Sequence, residues 1–176
     1  MSKPQVIWLN GAFGVGKTTV ARRLSTLLPD AMTLDPEDIG GMLSRAIPAA
    51  RRSDDFQDLH LWRRLTVAAV AGVLQDHPGL LLVPMAVVDA GYFDETVGEL
   101  RRAGITVHHF TLVADPKTIR RRLLLRPLDP RATRWALQRV ERCTTALQSP
   151  RFATHLTTDH RSVAEVAATV RRMASV

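Results

Sequence analysis

Two rhythms of apolar and polar positions alternate along this chain. Short runs typical of strands buried on both faces occur at Val6-Ile7-Trp8-Leu9, near Met32-Thr33-Leu34-Asp35, at Leu80-Leu81-Leu82-Val83, over residues 105–113 and near His155-Leu156-Thr157. Between them, apolar side chains return at helical spacing over about 17–28, 36–46, 54–75, 93–103, 115–125, 132–147 and 163–173. Punctuation agrees with these bounds. Pro36 suits a first helical position, Pro78-Gly79 precedes the third strand, and Gly104 suits a helix C-cap. A polar, proline-bearing loop covers 126–131.

Strand–helix alternation with buried strands predicts an α/β fold: a parallel sheet covered by helices on both faces. A chain of 176 residues forms one such domain, 1–176, with room for a small appended element. Ligands then belong over the carboxyl ends of the strands.

The chemistry concentrates between the first strand and the first helix. Gly11-Ala12-Phe13-Gly14-Val15-Gly16-Lys17-Thr18 fits G-x-x-x-x-G-K-[ST], the phosphate-binding P-loop, and the strand–loop–helix context the motif needs is in place. Glycines let backbone N–H groups curl around phosphates at a helix N-terminus, where the dipole favours negative charge. Lys17 supplies a cation to the β- and γ-phosphates, and the Thr18 hydroxyl, followed by Thr19, is placed to ligate Mg²⁺. A P-loop after the first of five strands points to a kinase-like fold. By analogy with nucleoside-monophosphate kinases, the expected strand order is 2-3-1-4-5, with an acceptor cap at about 36–77 and a lid at about 126–134.

Asp35 ends the second strand on the same sheet edge as the P-loop. Two roles are open to it: proton acceptor or anchor for an attacking hydroxyl, and N-cap of the helix that starts at Pro36. Glu37 and Asp38 fall in that helix's first turn, where acids stabilise the dipole in any protein. Arg122 and Arg126 share a helix face immediately before the polar loop and resemble the helix-then-lid element of nucleotide kinases. There the first arginine lies against adenine and the second reaches phosphate. Arg134, Arg139 and Arg142 lie beyond the loop, where a closing lid brings such charges over a transferring phosphoryl group. Thr158 and Asp159, at the end of the last strand, are expected near the adenine. The third strand ends Val83-Pro84-Met85, without the carboxylate that ligates Mg²⁺ in many P-loop proteins. Asp89, four residues on, is either a ligand through water or an ordinary loop aspartate.

Composition narrows the partners. Of 24 basic residues only Lys3, Lys17 and Lys117 are lysines, so a lysine at the motif position is hard to ascribe to chance. A formal charge of +7 suits a phosphate-rich ligand, but the arginines come as scattered pairs such as Arg63-Arg64 and Arg171-Arg172. Such pairs decorate solvated helix faces, and no nucleic-acid partner is expected. The single cysteine, Cys143, excludes an internal disulfide framework and fits a reducing compartment. With a strand starting within five residues no signal peptide is expected, and with polar residues 75–79 interrupting the most apolar stretch no transmembrane helix is expected. A soluble, cytoplasmic protein is expected, of unspecified oligomeric state. The last helix has apolar Val163, Val166, Val170 and Met173 beside Arg171 and Arg172; packing on the sheet is expected for it instead of a membrane surface.

Several further segments share an order with a known family: Asp35-Pro36-Glu37; Asp54-Asp55-Phe56-Gln57 with Leu61-Trp62-Arg63; Val83-Pro84-Met85 with Tyr92-Phe93; residues 107–112; and Ser149-Pro150, Phe152, His155 and Thr158-Asp159. Together with the P-loop they resemble the tunicamycin-resistance ATP-binding protein family over nearly the whole chain. That family is similar to nucleotide kinases and to chloramphenicol phosphotransferase. The resemblance implies ATP and Mg²⁺ binding and protection against tunicamycin, a nucleoside antibiotic with a fatty acyl tail. It leaves open whether the drug is phosphorylated or sequestered. The arginines flanking the lid point to an ATP-dependent phosphotransferase acting on tunicamycin or a related nucleoside-like hydroxyl compound, with non-catalytic, ATP-dependent sequestration as the alternative.

In that light the small-molecule acceptor is expected among Asp35, Phe56, Trp62, Arg63 and Met85, in a channel with apolar walls and polar anchors. Phe56 and Trp62 have an alternative in simple packing on the sheet, more so for Phe56. A metabolic nucleoside or nucleotide kinase is the third option and calls for a polar pocket.

Overall fold

The computed structural model describes residues 4–126 and 129–176. Its centre is a five-stranded, all-parallel sheet in the order β2-β3-β1-β4-β5. The strands are β1 (Gln5–Gly11), β2 (Met32–Thr33), β3 (Leu80–Pro84), β4 (Thr106–Val113) and β5 (His155–Thr157). The helices are α1 (Lys17–Leu27), α2 (Pro36–Ala46), α3 (His60–Asp76), α4 (Ala90–Phe93), α5 (Glu99–Arg102), α6 (Pro116–Leu125), α7 (Pro130–Gln138), α8 (Val140–Ala146) and α9 (Val163–Ala174). Both the parallel sheet and its order agree with the sequence expectation.

β1 lies between β3 and β4, with Ile7 level with Leu82 on one side and His108 on the other. Because side chains alternate across a strand, Ile7 and Leu9 enter the core shared with α1 and α9, and Val6 and Trp8 enter the one shared with α3. Val6 through Leu9 are fully buried, which explains why the run carries no polar alternation. The closing helix buries Val166, Ala167, Val170 and Ala174 in the first of these cores. Among the described residues no helix is long and apolar enough to cross a membrane.

Three helices depart from the expected pattern. The segment expected as a helix from residue 54 begins instead as a 3-10 turn, Phe56–Asp58, because the Asp55 carboxylate accepts from the Gln57 N–H at 3.0 Å; α3 starts only at His60. The helix expected from residue 93 starts at Ala90, capped by Asp89, and passes through a widened π-type turn, Asp94–Gly98, into α5. The helix expected over 132–147 is two helices. The Arg139 guanidinium donates to the Trp135 carbonyl at 3.3 Å, while the Arg139 N–H pairs with Ala136 one residue early, which breaks the ladder between α7 and α8. The expected lid at 126–134 falls partly outside the described residues, at positions 127–128; residues 130–134 are the start of α7, with Pro130 first and Asp129 as cap.

Candidate functional site

The P-loop forms where β1 runs out and α1 begins. Gly16 caps α1 in the left-handed region at φ 111°, with no side-chain acceptor and no acid in the first turn. The contrast with α2, α6 and α9 is informative: Asp35, Asp115 and Ser162 each cover their helix's first amides with a side-chain oxygen. At α1 those N–H groups are left for an anion. Gly14 presses the loop against α6, since a Cβ there would lie 2.7 Å from Leu123 Cγ. Beneath, fully buried Asn10 fixes the loop's first residue. Its carbonyl oxygen accepts from Gly11 N–H at 2.8 Å and Val87 N–H at 2.9 Å, and its amide donates to the Val87 carbonyl at 2.9 Å. Nothing in the sequence marked Asn10, because a lone asparagine at a strand end has many possible uses.

Over the loop opens a cavity of about 660 Å³. Phe13, Gly14, Val15, Gly16, Thr18 and Thr19 line it, whereas Ala12 is buried below and offers its carbonyl. Lys17 is also buried, and its ammonium donates to the Gly11 and Ala12 carbonyls at 3.0 and 3.2 Å. Burial pushes its pKa down to about 8, against the opposing pull of Glu37.

Glu37 lines the cavity and is the carboxylate most strongly coupled to Lys17; its own pKa is raised by loss of water. Asp35 borders neither this cavity nor the second pocket. Its Oδ1 accepts from Glu37 N–H at 3.0 Å, so it holds the first turn that presents Glu37, and it too is raised by burial. Glu37 was discounted in the sequence because first-turn acids need no special explanation.

Arg122 and Arg126 both line the cavity, as their shared helix face predicts. Arg122 is fixed: it donates to the Val15 carbonyl at 3.1 Å, to the Thr158 hydroxyl at 2.8 Å and to the Thr158 carbonyl at 3.1 Å. Arg126 is exposed at the rim. Thr158 lines the same cavity, whereas Asp159 turns away to accept from the Asp115 N–H. Arg134 is exposed on α7 and does not border the cavity. Trp135 does, with its ring edge-on to Phe13 at 4.8 Å between centroids.

The expected acceptor set divides. Phe56 borders the cavity, packed over Gly40. Trp62 is corrected to a core residue: it has no exposure, and its indole N–H donates to the Pro36 carbonyl at 3.0 Å. The preference between the two aromatics is thus reversed. Met85 is likewise fully buried in the sheet core, and its carbonyl accepts from Trp8. Arg63 is internal as well, stacked 4.1 Å from the Tyr92 ring centroid and bonded to Glu95 at 2.7 Å. Asp89 does not border the phosphate cavity. Its Oδ1 caps Gly91 and Tyr92, and it lines a second pocket of about 260 Å³ together with Asp55, Arg139 and Arg142. Phe13 borders both spaces.

No group of three or more His, Cys, Asp or Glu side chains able to hold a metal occurs among the described residues. The donor set would suit a Mg²⁺ that arrives with phosphates and keeps several waters, and Thr18, which lines the cavity, is the residue that would hold it.

Comparison with known proteins matches the family described as "AAA domain" over residues 6–150. Among solved structures, the tunicamycin resistance protein of Deinococcus radiodurans superposes with a TM-score of 0.81 at 29% identity, covering 99% of this chain and 97% of that one. The gluconokinase of Sinorhizobium meliloti 1021 has a TM-score of 0.64 at 18% identity over 99% and 96%. The shikimate kinase of Bacteroides thetaiotaomicron has 0.64 at 15% over 98% and 99%. No curated protein sequence matches. The last two likenesses concern the fold alone.

Proposed function

The chain belongs to the AAA domain family, and from that membership we propose that it is an ATP-dependent small-molecule phosphotransferase acting on a hydroxyl of tunicamycin or a related nucleoside-like compound. One observation carries the proposal: buried Lys17 and cavity-facing Glu37 flank the uncapped head of α1. A charge that has lost its water is held where phosphate would replace the missing hydration, beside a carboxylate whose raised pKa suits proton transfer.

In the proposed reaction the α1 amides and Lys17 hold the β- and γ-phosphates. Lys17 exchanges its loop carbonyls for phosphate oxygens without exposing new charge to solvent. The acceptor hydroxyl attacks the γ-phosphorus, the bond to the β,γ-bridging oxygen breaks, ADP departs, and the hydroxyl proton passes to Glu37. Asp35 is a positioning residue that keeps the Glu37 turn in place. Arg122 fixes the nucleotide wall, and Arg126 at the rim adds positive charge over the transferring group. Mg²⁺, when bound, neutralises phosphate charge, with Thr18 as its protein ligand.

One observation favours a second possibility, ATP-dependent sequestration of the drug: β3 ends in Val83-Pro84 without a carboxylate for the metal. Mass spectrometry of tunicamycin after incubation with protein, ATP and Mg²⁺ separates the two. An added phosphate supports transfer; tight ATP-dependent binding of unmodified drug supports sequestration.

A further inference from the structure

The second pocket contains more unused hydrogen-bonding capacity than the fold requires. Gln57 is only 5% exposed and lines it. Both Gln57 backbone groups are taken, the N–H by Asp55 and the carbonyl by Arg63, but its side-chain amide makes no hydrogen bond among the described residues. Thr66 Oγ1, not this amide, is the buried side-chain polar atom left without a partner among the described residues, so the Gln57 amide opens on the pocket and is free to bond what enters it. Asp55 and Asp89 each use one carboxylate oxygen as a cap and leave the other free. Asp54 and Arg142 border the same space and form no ion pair with each other or with other described residues. Groups of both signs therefore face one pocket without closing into ion pairs, although Arg139 and Arg142 lie near enough to favour the Asp55 carboxylate.

The pocket is also built to hold its shape. Arg63 stacks on Tyr92 and bonds the Gln57 carbonyl, so one internal guanidinium orients two of the lining residues. The Tyr92 hydroxyl donates to Asp58, whose other oxygen accepts from Ser53 at 2.6 Å. On the inner wall, Cys143 feels both Lys17 and Asp55, which sets the pocket next to the phosphate centre, with the Phe13 ring between the two spaces.

We infer that this pocket holds the acceptor's sugar portion: a non-anionic, hydroxyl-rich ring of monosaccharide size. The inference rests on the phosphotransferase proposal for its chemistry, though not for its binding. Each hydroxyl both donates and accepts, the capacity offered by free carboxylate oxygens beside a guanidinium and an amide. Four aspartates against two arginines disfavour acceptors that already carry phosphate or carboxylate. A space of about 260 Å³, below the usual range for drug-sized ligands, has no room for a fatty acyl chain. The ring is thus the recognised part of the acceptor, and any tail projects from the pocket.

Saturation-transfer NMR on the intact protein tests occupancy, with uridine, glucosamine and N-acetylglucosamine as probes. Uridine 5′-phosphate and glucose 6-phosphate serve as anionic controls. Mass spectrometry of the same mixtures with ATP and Mg²⁺ reads transfer, and ATP binding by each variant controls for folding. At least one non-anionic probe is expected to bind more tightly than both controls. Gln57→Leu and the exposed Arg142→Ala should each weaken that probe about tenfold, the scale of one lost hydrogen bond at an otherwise filled site. Unchanged binding in both variants, stronger binding of the controls, or no signal from any probe overturns the inference. Product formation with binding insensitive to both variants removes the pocket assignment and leaves the transferase. Probe binding lost in both variants, with no product in any mixture, does the reverse.

Discussion

Arg122 grips Thr158 twice, with one guanidinium nitrogen 2.8 Å from its hydroxyl and another 3.1 Å from its carbonyl, and the same side chain reaches the Val15 carbonyl at 3.1 Å. A residue on α6 thereby ties the P-loop to the turn after β5, two segments separated by 143 positions in sequence. The planar fork makes three contacts in fixed directions, which a lysine ammonium on a flexible stem does not reproduce.

Arg122→Lys and Arg122→Ala should therefore both weaken ATP binding, by about tenfold or more for the loss of two or three charge-assisted hydrogen bonds at the cavity wall. Arg101→Ala is the control, since Arg101 is exposed and makes a single long contact with the Val107 carbonyl at 3.4 Å. Titration of the three variants with ATP checks this; affinities equal to the parent's in the Arg122 variants would remove Arg122 from the nucleotide wall.

Glu37 and Asp35 should separate by role. Glu37→Gln keeps the shape and removes the proton acceptor, and kcat should fall by about 10²–10⁴-fold with little change in ATP affinity. Asp35→Asn retains an efficient N-cap and should cost far less, whereas Asp35→Ala should lose roughly 1 kcal/mol of stability with the cap. Steady-state kinetics and urea unfolding on the three variants decide it. A larger kcat loss in Asp35→Asn than in Glu37→Gln would return the proton-accepting role to Asp35.

Lys17 makes ATP binding depend on pH. In the free protein its pKa is held down to about 8 by burial, and phosphate at the ammonium raises it again. Below about pH 8 the charge is already present, and Lys17 adds no pH dependence. Above it, binding must recruit a proton, so affinity falls toward tenfold per pH unit until the bound-state pKa is passed. Calorimetry at about pH 9 in two buffers of different ionisation enthalpy should register close to one proton taken up per ATP. Lys17→Met should bind weakly and take up none; equal uptake by both proteins would contradict the assignment.

His109 predicts acid sensitivity. Burial, against Phe93 at 4.7 Å between ring centroids, lowers its pKa to about 4, with Nδ1–H donating to the Ala153 carbonyl at 3.1 Å. Between the ordinary histidine value of 6.5 and about 4 the unfolded chain binds the extra proton, so stability falls as pH falls through that window. The full loss is on the order of 3 kcal/mol. Urea unfolding at several pH values should show this slope in the parent and a shallower one in His109→Gln; identical slopes would show that His109 is not the group responsible.

The strands and the phosphate loop were legible because each rests on local pattern: buried apolar runs, and glycines where the loop needs positive φ. The strand order comes by analogy with nucleoside-monophosphate kinases, since no local pattern carries it. The acceptor side was not. Assigning faces around Phe56 and Trp62 requires the phase of their helix, and the Asp55-capped turn followed by extended Leu59 resets that phase before α3 begins. Trp62 consequently points into the core and Phe56 into the cavity. Asn10 matters through a partner far away in sequence, Arg139 through a carbonyl taken from a helix and Gln57 through the pocket it lines, and none of these leaves a mark on spacing. Glu37 was visible as a residue but had an ordinary explanation in the helix dipole, which only the cavity's position supersedes.

Phosphoryl transfer is the central claim, and the stoichiometry of the reaction tests it most directly. Protein, ATP, Mg²⁺ and tunicamycin are incubated, and ADP and phosphorylated drug are quantified in the same samples. Transfer predicts that both rise together in a one-to-one ratio in the parent and that both vanish in Lys17→Ala. Tight ATP-dependent binding of tunicamycin with neither ADP nor phosphorylated drug formed would contradict it and assign the protein to sequestration.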